Sequence, residues 1–513
     1  MPLQRGINRA RARRRVAVLL VAAPLAACAT DRLDLAPDRP DQPWAIPPSL
    51  RPSSASGGPS ADLAGPGGTA ALRPRGANDE GTPENAVPID PARQYDLAGL
   101  INLAQRSNPE TRGAWEQARQ AALAVGLNEA SYVPQISAEM IGGFQHTPLP
   151  IPTSLIPRGY FTANTRELIP TLAAKWLLFD FGQRAGAVEA ARANSFVANV
   201  AFTGAHQKLL YAVSRDYYAL GAARGRLRVA RQALKTAQIV QDAAEMRAAH
   251  GLGTVVETAQ AKRQTAQARF NLARTTGAEH TAYAALVASM GVAPAARIEV
   301  ADSADQKLPA APSGNVDQFV QNALVNRPDI SAAMGKIRAA EATLGGAKAS
   351  YYPTIGLEAQ AYQNVGSLST DGSRYFSVNE PGADILLKLS WPLFDGGARD
   401  ARIATARSEI AAAHASLDQT RDTAAQQVTD AYDALRTSFA EYAAALTLNE
   451  AAQTAYDAAL DAYQHGVGTY TDLASDETAL SQAQSEKEDA HANVFTAAAA
   501  LAFATGAIMA NSP

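Results

Sequence analysis

The stretch W-L-L-F-D-F-G at residues 176–182 returns 215 positions later as W-P-L-F-D-G-G at residues 391–397. Alone, Asp180-Phe181-Gly182 spells the magnesium-binding tripeptide of protein kinases. Neither a glycine-rich nucleotide loop nor an H-R-D catalytic loop accompanies it, and that chemistry needs both. A catalytic metal ligand has no reason to be duplicated; a strand-to-helix corner in a repeated scaffold has. Two further anchors recur in the same order. S-Y-V-P (131–134) pairs with S-Y-Y-P (350–353), offset by 219, and H-G-L-G-T (250–254) with H-G-V-G-T (465–469), offset by 215. The body is therefore expected to be a tandem duplication, residues 95–305 and 313–511.

Upstream of each corner the pattern has period two. In the second copy Ile355, Leu357, Ala359 and Ala361 share one face, with Gly356, Glu358 and Gln360 on the other. After a polar loop (367–374), Ile385, Leu387, Leu389 and Trp391 alternate with Asp384, Lys388 and Ser390. These read as antiparallel strands of about 10 residues, the length a tilted membrane strand needs. A soluble hairpin alternates in the same way, but here Tyr351, Tyr352, Trp391 and Phe394 gather at the open end, as in an interfacial aromatic girdle. Tyr132, Trp176 and Phe179 repeat the placement in the first copy.

Downstream of each corner a helix begins. Asp180 and Asp395 are placed to cap it, accepting backbone N–H groups at the positive end of the dipole. No proline interrupts 182–249 or 397–464, so each run predicts a helix roughly 100 Å long. Ile403, Ile410 and Leu417 are spaced by seven, as are Val428, Leu435 and Tyr442, with a step of 11 between the series. Heptads with such a stutter describe a locally unwound coiled coil. Gly251 and Gly466 are free to take positive φ and stop the long helices. Thr254 with Glu257 then reads as a capping box for a return helix over 254–290, and Thr469 with Asp472 for one over 469–508. Helices over 109–131 and 328–350 lead into the hairpins. Stacked end to end, a lead-in and a return helix total about 60 residues, or roughly 90 Å, enough to accompany one long helix.

Bulk properties remove other classes. The net charge is −3, which makes no electrostatic case for nucleic-acid binding. No H-E-x-x-H, Walker A or G-x-S-x-G occurs, and His250 and His465 are copies at a turn; neither enzyme chemistry nor a cofactor or metal is expected. Residues 1–15 are dense in arginine and free of acid, and Val16–Ala27 is an apolar run too short to span a bilayer. It ends L-A-A-C at Cys28, the only cysteine. Residues 1–27 thus read as a signal peptide and Cys28 as a candidate lipidation site, the alternative being ordinary secretory cleavage. Residues 28–92, rich in Pro, Gly and Ser, read as a flexible tether.

With the duplication, the S-Y-x-P and W-x-L-F-D-x-G corners and Y-Q-H-G-V-G-T-Y-T-D-L (463–473), residues 95–511 resemble the TolC-type outer-membrane efflux proteins, in particular their lipidated branch. The resemblance implies a mainly α fold with a transmembrane β portion. Tandem long helical hairpins would form a tunnel, and four strands per chain would enter a shared 12-stranded barrel in a homotrimer. It implies lipid anchoring through Cys28 in the outer membrane of a Gram-negative bacterium. It places Gly251, Gly253, Thr254, Gly466, Gly468 and Thr469 at periplasmic tips where an adaptor docks, the inner-membrane pump acting through that adaptor. Acidic residues narrow the tip in relatives; Glu257, Asp472 and Asp476 are the candidates here, although Ser475 stands where the pattern commonly has an acid. The function implied is passive export of small molecules through an outer-membrane duct. Type I protein secretion through the same duct, or a structural envelope lipoprotein without a channel, are the alternatives.

Overall fold

The computed structural model describes residues 32–45, 89–90, 93–155, 157–251, 253–304 and 306–509. The signal segment, Cys28 and most of the expected tether lie outside these residues. The elements run β1 (Gln94–Tyr95), α1 (Leu97–Ser107), α2 (Pro109–Glu129), β2 (Gln135–Pro150), β3 (Tyr160–Phe179), α3 (Gln183–Ala249) and α4 (Val255–Ser289). They continue with β4 (Glu299–Val300), α5 (Val316–Asn326), α6 (Pro328–Ala349), β5 (Thr354–Thr370), β6 (Phe376–Ser390), α7 (Ala398–Gln464) and α8 (Tyr470–Ala504). From α1 to α4 and from α5 to α8 the same order recurs, and α3 and α7 are each 67 residues long.

Helix boundaries follow local chemistry. Pro109 and Pro328 open α2 and α6, where a missing N–H costs nothing. Asp96 caps α1 by accepting from Gly99 N–H, and Asn315 caps α5 by accepting from Asp317 N–H. These two short helices are additions to the sequence reading, which had only the lead-in helices.

Contacts divide the chain into two compact units. One comprises 118–197, 333–416 and the segment ending at Ala36; the other comprises 37–117, 198–332 and 417 onward. In the first, the sheet has strand order β2-β3-β5-β6, antiparallel throughout. Its strands span 15 to 20 residues rather than the expected ten. Backbone pairing continues beyond the apolar alternation because each strand has a neighbour to bond whatever its side chains. The loop expected over 367–374 shrinks accordingly, since β5 runs to Thr370. Also in this unit, α3 and α6 approach closely: a Cβ on Gly186 would stand 2.6 Å from Gly346 N.

In the second unit the core gathers Leu100, Leu103, Val213, Tyr217, Leu220, Leu286, Met290 and Val300, with β1 and β4 paired in parallel. The α7 stripe of Leu417, Val428 and Leu435 is buried, and Ala424, fully buried, fills the step of 11. Among the described residues no helix is long and apolar enough to cross a membrane.

Residues 32–45 do not behave as the free tether expected over 28–92. In the first unit Arg32 pairs with Glu129 at 2.6 Å. In the second, Trp115 Nε1 donates to Pro37 O (2.7 Å) and Thr203 Oγ1 to Trp44 O (2.9 Å), while His206 Nε2 lies 3.2 Å from Pro40 O. A proline-rich segment has carbonyls without internal donors, and helix side chains supply them here.

Candidate functional site: the membrane hairpins and the helical tips

The registers assign every strand residue to a face, because directly opposed residues in an antiparallel ladder point the same way. Ile136, Ala174, Ala359 and Ile385 form one row, and Ala138, Leu172, Ala361 and Ala383 the next on the same face. Ile355, Leu357, Leu387 and Leu389 extend this apolar face. The opposite face carries the row Gln135, Lys175, Glu358 and Leu386 and the row Ser137, Ala173, Gln360 and Asp384. There Lys388 pairs with Glu358 at 3.2 Å and Gln360 donates to Asp384 at 2.7 Å. Of the charged residues in the four strands, Glu139, Glu167, Lys175, Glu358, Glu380, Asp384 and Lys388 all lie on this polar face; Arg166 alone lies on the other. Yet Met140, Ile385, Leu387 and Leu389 are each more than 60% exposed. Exposed leucines on one face with seven charges on the other describe a sheet between hydrocarbon and water.

At the open end, both copies build the same junction. Trp176 Nε1 donates to Tyr132 O (2.8 Å) and Trp391 Nε1 to Tyr351 O (3.0 Å). The two aspartates are not the N-caps the sequence suggested: α3 and α7 begin three residues further on, and each carboxylate accepts a backbone N–H from the fourth residue after it. Asp180 Oδ2 accepts from Arg184 N and Asp395 Oδ2 from Arg399 N, at 2.8 and 3.1 Å. Sequence reading missed the arginines. Arg184 also binds Asp180 through Nε (2.9 Å), donates to the carbonyls of Ser131, Leu177 and Leu178, and lies over the Tyr132 ring. Arg399 repeats the pair with Asp395 and lies over Tyr351. The signal was present: an arginine stands four residues after each corner aspartate. The corner needs two successive positive-φ residues, Gly396 and Gly397 in one copy and Phe181 and Gly182 in the other. Phe181 adopts this rare conformation with its ring stacked on Tyr352 at 5.5 Å.

The tips belong to the second unit. Gly251 and Gly466 have φ of 70° and 74° and close the ends of α3 and α7. Gly468 N–H bonds Ala462 O and Gly253 N–H bonds Arg247 O, so the turns match. Thr254 and Thr469 cap α4 and α8 by accepting from the N–H groups of Glu257 and Asp472. Neither capping box is completed by its acid. Glu257 instead accepts from Tyr463 Oη at 2.6 Å, tying the two copies, and Asp472 accepts from Thr469 Oγ1 at 2.7 Å. Burial, then the Glu257 bond, pushes the Tyr463 hydroxyl up to about 12. Asp472 is exposed and Asp476 half-buried. One acid the sequence did not single out, Glu477, is 7% exposed beside them. Burial alone pushes its carboxyl up to about 7.

The outer membrane efflux protein family profile matches this chain at residues 100–292 and 319–507. The chain belongs to that family. Among curated proteins it is similar to Protein CyaE of Bordetella pertussis, 30% identical over 75% of this chain and 78% of that protein. It is also similar to the Cation efflux system protein CusC of Escherichia coli, 27% identical over 74% and 80% of the two chains. Among solved structures, the Campylobacter jejuni CmeC outer membrane channel superposes with a TM-score of 0.69 at 17% identity, over 80% of this chain and 86% of that one. The fold is therefore that of these channels, a helical tunnel with a β-barrel. The protein is an outer-membrane channel of a tripartite efflux system, reaching into the periplasm. Family members are channels rather than enzymes, are trimeric, and work with adaptors and inner-membrane pumps.

Proposed function

We propose that three copies of this chain close their sheets into one 12-stranded barrel whose lumen is the polar face, and that this chain itself is a passive duct without catalytic activity. One observation carries the reading: seven of the eight charged strand residues share a face, opposite a face of exposed aliphatic side chains. β2 and β6 are the edge strands of the sheet, and unpaired edges are costly in lipid, so copies must complete them. Eight strands from a dimer would leave an interior filled by side chains, whereas 12 leave a passage. The tips at Gly251, Gly253, Thr254, Gly466, Gly468 and Thr469 dock the periplasmic adaptor; Val255, Val256 and Val467 project there with more than 60% exposure each. Glu257, Asp472 and Asp476 contribute to the entrance gate, Glu257 through its bond to Tyr463. Cys28 carries the lipid anchor.

Five carboxylates against two lysines leave the lumenal face at a formal −3 per chain. In planar bilayers under a KCl gradient the channel should therefore prefer cations. Converting Glu139, Glu358, Glu380 and Asp384 to their amides leaves a formal +1 per chain and should carry the reversal potential through zero to a weak anion preference. Absence of conductance from assembled protein would sink the channel reading, and an unchanged potential the face assignment. Bulky residues at Gly466 and Gly468 should abolish adaptor cross-linking while trimers persist, and Cys28→Ser should abolish palmitate labelling.

A further inference from the structure

The exception on the apolar face leads further. Arg166 lies in the row Phe144, Arg166, Ser367 and Ser377. Below it, from Leu168 to Trp176, this face of β3 is uncharged. That stretch, at about 3.3 Å per residue and a tilt of about 40°, covers roughly 20 Å of bilayer, close to the ~25 Å apolar band of such barrels. Arg166 therefore sits at the rim of the hydrocarbon. Because the helices at the other end reach into the periplasm, this rim is in the outer leaflet.

A guanidinium exposed at that depth calls for a partner of opposite charge. Ser367 and Ser369 on β5 are small, and the guanidinium lies 4.6 Å from the centre of the ring of Tyr375, the residue that precedes β6. No carboxylate takes it among the described residues. Glu167 points to the other face. Asp371, the nearby turn acid, is engaged by Arg158 at 3.4 Å and by Thr162 N–H at 2.9 Å. On the adjoining row His146 Nδ1 and Asn164 Oδ1 are 2.5 Å apart. An oriented arginine, an aromatic ring, an amide and an imidazole thus share one outward patch at headgroup depth.

We propose that this patch binds the phosphorylated sugar headgroup of an outer-leaflet glycolipid. Arg166 receives the phosphate, for which its planar fork is suited, while Tyr375 offers a face to the sugar and Asn164 and His146 offer polar partners for its hydroxyls. The inference rests on the barrel orientation proposed above.

The test uses the full chain, assembled and detergent-solubilised, titrated in native mass spectrometry with bisphosphorylated lipid A. Dephosphorylated lipid A, phosphatidylglycerol and inorganic phosphate serve as competitors. Wild type should retain the phosphorylated glycolipid, Arg166→Gln should bind it about tenfold more weakly, and Arg166→Lys should recover part of the loss. Retention of trimers on unheated gels shows that the variants have folded, and their conductance should match wild type. Equal binding by Arg166→Gln, or by dephosphorylated lipid A, overturns the proposal. Equal competition by phosphatidylglycerol or inorganic phosphate also overturns it, reducing the patch to a general anion contact. A wild type that assembles but does not conduct would instead count against the channel reading.

Discussion

Replacing Arg184 by methionine keeps the aliphatic stem over Tyr132 and removes the charge. Asp180, with its side chain only 8% exposed, then loses its counter-charge, and the carbonyls of Ser131, Leu177 and Leu178 lose their donor. Breaking a buried pair from one side costs about 3–5 kcal/mol, because the partner stays buried and unpaired. The homologous Arg399→Met should cost less. Asp395 is 26% exposed, so water can replace part of what Arg399 supplies. Urea unfolding in lipid vesicles, followed by tryptophan fluorescence, reads both, since Trp176 and Trp391 sit at these junctions. Arg184→Met should lower stability more than Arg399→Met. A cycle with Asp180→Asn should show coupling above about 1 kcal/mol. Equal losses at the two corners, or additivity within about 0.3 kcal/mol, would refute the claim that burial of the charge pair holds the corner.

Three further outcomes follow. The Glu477 carboxyl, raised to about 7 by burial, binds a proton more tightly folded than unfolded. Its contribution to stability is therefore complete below the ordinary carboxylate range and is lost as pH rises toward 7. Glu477→Gln should remove that slope, with its melting temperature exceeding wild type at pH 8 and converging with it near pH 5. Gly186→Leu should prevent α3 and α6 from meeting, since its Cβ would lie 2.8 Å from Ala342 O. Gly345→Ala, with nothing within 4 Å, should instead stabilise α6 by about 0.5–1 kcal/mol; thermal unfolding separates the two.

Helix ends were legible because their causes are local: Pro109 and Pro328 at helix starts, Gly251 and Gly466 at positive φ, Thr254 and Thr469 as caps. Lipid-facing and lumenal strand positions were legible in the second copy, where alternation is clean. The reciprocal half of each capping box was not, because Glu257 finds Tyr463, 206 residues away. Nor was the attachment of residues 37–45, since composition reports what a segment cannot bury and not which side chains will donate to its carbonyls.

Short-range chemistry and a repeat visible by eye were enough to establish the duplicated order of helices and strands, the corners between them and the membrane character of the hairpins. Tertiary structure decided which charges share a face, where Arg184 and Arg399 place their donors, and that Glu477 is buried. These depend on register and on groups far apart in the chain, and a linear sequence does not encode distance across a sheet or a helix pair except through the fold it adopts.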